Sequence, residues 1–237
     1  MLRGRMTSPE VWPTDPDTLE DLQRRIAALN PAGWEPHPGM IVGGVFCCFG
    51  RHAPGEEGDP GWAAAVATAW RRVVDQRVVE GRAGAPYRRG LLAAREGPLL
   101  EAAVRGLEEP PDVLLVNATG RDHPRRAGLA LHLGWVLDLP TVGVTHRPLV
   151  GKGSWPNDRP GATSPLIVDG DQVGVWLRVR PDVRPLAVSP GWRVGMAEAV
   201  EVVLSSVVRA RTPEPIRQAR RLARSARSAS ERPDWAR

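Results

Sequence analysis

The segment VLLVNATGRDHPRRAGLALHLG, residues 113–134, joins an apolar run to a cluster of glycine, histidine and arginine. Val113 to Val116 reads as a buried strand, and Asn117 stands where such a strand delivers a reactive side chain. Gly120, His123, Arg125 and Arg126 follow at once. This is the layout of an active-site edge: glycines allow close backbone approach, and arginines at a helix start hold phosphate together with free amides. The delivered residue, however, is a neutral amide. Asn117 therefore marks either a working site or the remains of one.

The elements that must position this edge are legible on both sides of it. Residues 40–50 (MIVGGVFCCFG) form an apolar strand, and 62–70 with 71–82 predict two further strands as a hairpin pair. AAREGPLLEAAVRGL (93–107) is helical, broken or kinked near Pro98. A helix over RRAGLALHLGWVLD (125–138) leads to a short buried strand at 140–146. The strand–helix–strand order implies parallel strands with a crossover helix. A hairpin around Asp169-Gly170 (166–180), a strand at 185–191 and a helix over 196–211 complete the pattern. Upstream, DTLE at 17–20 has capping-box spacing ahead of a helix. The expectation is an α/β fold with a mixed β-sheet flanked by helices. One domain spans 14–225, with a disordered N-terminus (1–13) and a disordered C-terminal tail (226–237).

The chain has 237 residues, 42% of them hydrophobic, enough for one sizeable core. No apolar run approaches a membrane span and no signal peptide is visible, so the expectation is a cytoplasmic protein without a membrane partner. Its two cysteines, Cys47 and Cys48, are neighbours that a strand points to opposite faces, which implies neither a metal pair nor a disulfide framework. The net charge of +5 suits a polyanionic partner. It follows equally from arginine-rich GC-biased coding, since Lys152 is the only lysine. Arg217, Arg220, Arg221 and Arg224 recur at helical spacing near the C-terminus, either a track along a phosphate backbone or a solvated helix face.

HPRRAGLALHLGWVLDLPTVGV with PLVGKG, flanked by PYRRG…AREGP and VSPGWRVGMAEAVE, resembles the endonuclease V family. The likeness runs from the first helix to EPIRQARRLA, in the same order. It implies a ribonuclease H-like fold and metal-dependent cutting of DNA or RNA near inosine, a deaminated adenine. Mg²⁺ or Mn²⁺ held by carboxylates activates water in such sites. Of the acids the resemblance calls for, only Glu96 in AREGP persists. Phe46 occupies the position of the aspartate in the family's GVD strand. Asn117 occupies that of the aspartate before GHG. Trp192 in SPGWR stands where the family has SPGHR, and His146 matches a lysine. The resemblance therefore implies weak or absent metal binding and a nuclease that is inactive or strongly impaired. If Phe46 and Trp192 met, the old metal site would become a hydrophobic plug or an apolar pocket.

Nucleic-acid binding can outlast the chemistry. Tyr87, in the segment matching the family's strand-separating wedge, offers a face for base stacking. Gly120 and Gly143 match pocket glycines, and His123, Arg125 and Arg126 fit HPRR either as phosphate contacts or as ties between loop and sheet. Lys152 is either a phosphate contact or an ordinary surface lysine. Two other readings stand beside a non-cleaving binder of deaminated nucleic acid. One is an active nuclease using Glu96, Asn117 and a rearranged acid such as Asp122. The other is a scaffold repurposed for a protein partner or a small molecule.

Overall fold

The structure, a computed structural model, describes residues 8–232. In chain order it runs α1 (Ser8–Val11), α2 (Pro16–Ala27), β1 (Val42–Phe49), β2 (Pro60–Ala69), β3 (Arg72–Arg82), α3 (Leu92–Arg105) and β4 (Val113–Val116). It continues through α4 (Leu129–Leu137), β5 (Thr141–Thr145), β6 (Thr163–Val168), β7 (Asp171–Leu177), β8 (Leu186–Pro190), α5 (Met196–Ser206) and α6 (Glu214–Ser230). The strands form one eight-stranded sheet, ordered β3-β2-β1-β4-β5-β8-β7-β6.

The hairpin at 60–82 closes through Trp70 and Arg71, whose φ values of 49° and 64° are left-handed, as a two-residue turn matching strand twist requires. At the centre β1, β4 and β5 are parallel, and α4 makes the crossover from β4 to β5. Alternation along β1 divides the core. Val45 and Cys47 face α2, α3 and α4 together with Val116, Leu100 and Leu133. Phe46 turns the other way and packs with Trp62, Ala64, Ala219 and Ala223 under α6. Cys48 packs on that side too, so the two cysteines do point apart. The N-terminal end of α6 rests on β1 at Gly44, where a Cβ would lie 2.3 Å from the Pro215 carbonyl carbon. Only glycine permits that approach.

Several boundaries differ from the sequence reading. Helix α2 is capped by Asp15, not Asp17: its carboxylate accepts from the Thr18 N–H at 2.9 Å, and Pro16 occupies the first turn. The N-terminus is ordered earlier than residue 14. Val11 and Trp12 are buried, and Trp12 stacks on His132 with ring centroids 4.5 Å apart. Residues 1–7 of that expected tail lie outside the described residues. The C-terminal helix likewise passes 225 and reaches Ser230, tied down by Arg227 donating to the Phe49 carbonyl and Ser230 to Glu80. Residues 233–237 lie outside the described residues. Helix α3 runs unbroken through Pro98. The Ala94 carbonyl, whose partner the proline removes, lies against Gly84, where a Cβ would meet it at 2.4 Å. No helix among the described residues is long and apolar enough to cross a membrane.

Candidate functional site

Parallel pairing of β1 with β4 sets Val45 opposite Val116, so the next residues, Phe46 and Asn117, come side by side on the face that α6 covers. Arg220, on α6, reaches both. Its Nη2 donates to Asn117 Oδ1 at 3.1 Å, and its guanidinium carbon stands 5.0 Å from the centre of the Phe46 ring. Arg224, one turn later, stands over the same ring at 5.6 Å. Both distances lie within cation–π range. Burial and the neighbouring Arg224 charge lower the pKa of Arg220 from its ordinary value, though a guanidinium remains charged. Two of the four arginines in the helical row, Arg220 and Arg224, are thus brought over Phe46 by the packing of α6.

Glu96 stands in the second turn of α3, and its charge is felt at Cys47 and Cys48, the two residues after Phe46. Burial raises its pKa to about 8, against a smaller pull from Arg95. His146 follows β5, with Nε2 3.3 Å from Thr212 Oγ1. Partial desolvation and the charges of Arg211 and Arg220 lower its pKa. His146 and Arg220 therefore share one neighbourhood.

Trp192 does not belong to it. Its ring is buried with Leu22, Ile26, Ala127 and Leu131, on the α2–α4 side and apart from the cluster that holds Phe46. Its backbone N–H donates to Thr141 Oγ1 at 2.8 Å, and its Nε1 to Asp138 Oδ1 at 3.2 Å. β5 and β4 separate β8, which precedes it, from β1. Phe46 and Trp192 thus form no common plug. Asp122 is also fixed elsewhere: its carboxylate accepts from the backbone amides of Leu149, Val150 and Gly151 at 2.7, 3.0 and 2.7 Å. A swing toward Asn117 would strip three donors at once.

Beside Asn117 opens a cleft of about 210 Å³. Its walls include Gln23, Gly90, Ala118, Thr119, Thr145 and Pro148, and its arginines are Arg88, Arg89 and Arg147. Tyr87 lines it and is exposed, its backbone N–H anchored on the Gly55 carbonyl at 2.6 Å. Gly55 is held in turn by Asp59, which pairs with the buried Arg95 at 2.7 Å. Gly120 and Gly143 do not line the cleft but meet back to back: a Cβ on Gly143 would lie 2.5 Å from the Gly120 nitrogen.

The HPRR residues act as ties. His123 Nε2 lies 3.0 Å from the Gly90 carbonyl, and Arg125 donates to that carbonyl at 2.8 Å and to Gln23 at 2.6 Å. Arg126 donates to the Val168 carbonyl at 3.0 Å. Both arginines precede α4, which starts only at Leu129, so they do not sit at a helix start. Only His123 among the three borders the cleft. Lys152 is exposed, forms a backbone bridge with Ile167 and does not line the cleft.

The sequence profile of the family described as Endonuclease V matches residues 21–221. The chain belongs to the endonuclease V family. It is 38% identical to Endonuclease V of Nocardia farcinica over 226 residues, which cover 92% of this chain and 96% of that one. The crystal structure of Endonuclease V from Streptomyces avermitilis superposes with a TM-score of 0.84 at 34% identity, covering 93% of this chain and 96% of that one. The ribonuclease H-like α/β fold comes with that membership. The fold is shared also by Ciona intestinalis Endonuclease V in complex with a 23mer DNA containing an inosine followed by a ribo-adenosine. That match has TM-score 0.75 and 21% identity over 95% of this chain and all, 100%, of that one.

Proposed function

We propose that this endonuclease V family protein recognises inosine-containing nucleic acid at the cleft beside Asn117 and does not cut it. The observation that carries this reading is the guanidinium of Arg220 between Phe46 and Asn117, where the resemblance places two aspartates. A hard divalent cation takes oxygen ligands, usually with one or more carboxylates among them. Here the Phe46 ring supplies none. Asn117 supplies one neutral oxygen that already accepts from Arg220. Glu96 alone of the three positions carries a carboxylate. Among the described residues no three or more His, Cys, Asp or Glu side chains stand together as a metal-binding group. These residues do not fit Mg²⁺ or Mn²⁺.

Recognition is a separate matter. A base needs a walled cleft and a stacking face, which the 210 Å³ cleft and the exposed Tyr87 ring supply. The family's DNA complex with inosine supports the same ligand class. The test is a pair of oligonucleotides differing only in inosine against adenine, followed by binding in EDTA and by cleavage in Mg²⁺ or Mn²⁺. Preferential binding of the inosine strand with no cut product is expected. Metal-dependent cutting overturns the non-cleaving assignment, and equal or absent binding overturns the recognition.

A further inference from the structure

We propose that Arg220 and Arg224 form a metal-independent site for a phosphodiester group of the bound strand. The inference rests on the reading of the protein as a nucleic-acid binder and names the group that takes the place of the metal. The two guanidiniums stand over one ring, Phe46, at 5.0 and 5.6 Å. Neighbours on the same helix face are not equivalent to them: Arg217 is neutralised by Glu214 at 2.7 Å, and Arg227 donates to the Phe49 carbonyl and faces Glu231 at 3.8 Å. Arg220 and Arg224 have no carboxylate partner among the described residues. Among the described residues Arg220 donates to a neutral amide, and its buried Nε finds no hydrogen-bond partner.

Two like charges held on one ring without a counter-ion repel each other, and an anion relieves that repulsion. A dication would increase it. The anion must also be reachable from the cleft. Asn117 provides this continuity, because it lines the cleft on one side and accepts from Arg220 on the other. A strand with its base in the cleft therefore has its backbone beside the arginine pair. Planar guanidinium forks match the oxygens of a phosphodiester, and phosphate neutralisation carries a measurable salt dependence.

The test is fluorescence anisotropy of an inosine-containing single strand in EDTA across a NaCl series. The proteins compared are the native chain, Arg220→Gln, Arg224→Gln, Arg220→Lys and Arg217→Gln. The native chain is expected to bind equally in EDTA and Mg²⁺. Each of Arg220→Gln and Arg224→Gln lowers the slope of log Kobs against log salt by about 0.7, the value for one phosphate contact on a single strand. Arg220→Lys keeps the slope and Arg217→Gln changes nothing, while the inosine-to-adenine ratio survives in all. Slopes unchanged in both glutamine variants, or binding that needs Mg²⁺, overturns the site and leaves the recognition reading standing. Absence of nucleic-acid binding by the native chain overturns both. Should Arg220→Gln fail to fold, the exposed Arg224 alone decides the outcome.

Discussion

Arg220 donates to Asn117 Oδ1 at 3.1 Å, joining the C-terminal helix to the edge of the central strand β4. The charged donor already makes this bond charge-assisted, and an ionised acceptor would add the attraction of opposite charges to it. Asn117→Asp is therefore expected to raise stability by about 1 kcal/mol at pH 7. It should not by itself create Mg²⁺ binding, because the new carboxylate faces Arg220. Thermal melting with and without Mg²⁺ checks both parts: a lower melting temperature, or one raised specifically by Mg²⁺, contradicts the expectation.

Removing the cation and restoring both acids is the stronger change. Phe46→Asp with Asn117→Asp and Arg220→Ala brings two carboxylates side by side and removes the guanidinium that donates to position 117, while Arg224 stays over position 46. Calorimetric titration is expected to detect Mn²⁺ binding in this triple variant and none in the native chain. Trp192→His, by contrast, should add nothing to metal affinity. It replaces a buried ring by a smaller polar one and should destabilise the chain by about 3 kcal/mol.

Asp122 holds the 149–151 segment by three backbone amides. Asp122→Ala leaves those donors without their acceptor, a loss on the order of 3 kcal/mol or more. Amide exchange should accelerate locally at 149–151. Unchanged exchange there would show that the carboxylate does not hold the loop.

Two histidines make stability pH-dependent. Burial lowers His132 to about 4, and burial with the Arg125 charge lowers His123 to about 4, from an ordinary 6.5. Between those values the unfolded chain binds more protons than the folded one, so stability falls as pH drops from about 6.5 to about 4. Each histidine contributes a slope on the order of 1.4 kcal/mol per pH unit within that window. His132→Gln should flatten the profile of unfolding free energy from denaturant titrations. A profile equally steep in the variant removes His132 from the account.

The ion pair of Arg95 with Asp59 is buried and anchors the turn that carries Tyr87. Asp59→Ala leaves the buried guanidinium of Arg95 without its carboxylate and is expected to lower the melting temperature. Inosine-strand affinity should fall with it while the salt slope stays constant, because no phosphate contact is removed. A normal affinity would separate the Tyr87 turn from recognition.

Much of the fold was legible because its elements are set by local patterning. Apolar runs, the Asp169-Gly170 turn and the β4–α4–β5 alternation all mark themselves within a few residues. The motif match likewise singled out Phe46 and Asn117, whose adjacency follows from parallel pairing of two short strands. What lay beyond the sequence were directions and distances between remote segments. Nothing in SPGWR says that the Trp192 ring turns toward α2 and α4, because that depends on which space those helices leave open. Nothing in HPRR distinguishes a phosphate contact from a tie to the Gly90 carbonyl, since an arginine fork serves both equally. The decisive residue, Arg220, lies 103 positions from Asn117. Sequence alone determined which residues, Phe46 and Asn117, stand at the two matched positions; only the packing of α6 on β1, permitted by Gly44, decided that the Arg220 guanidinium reaches both.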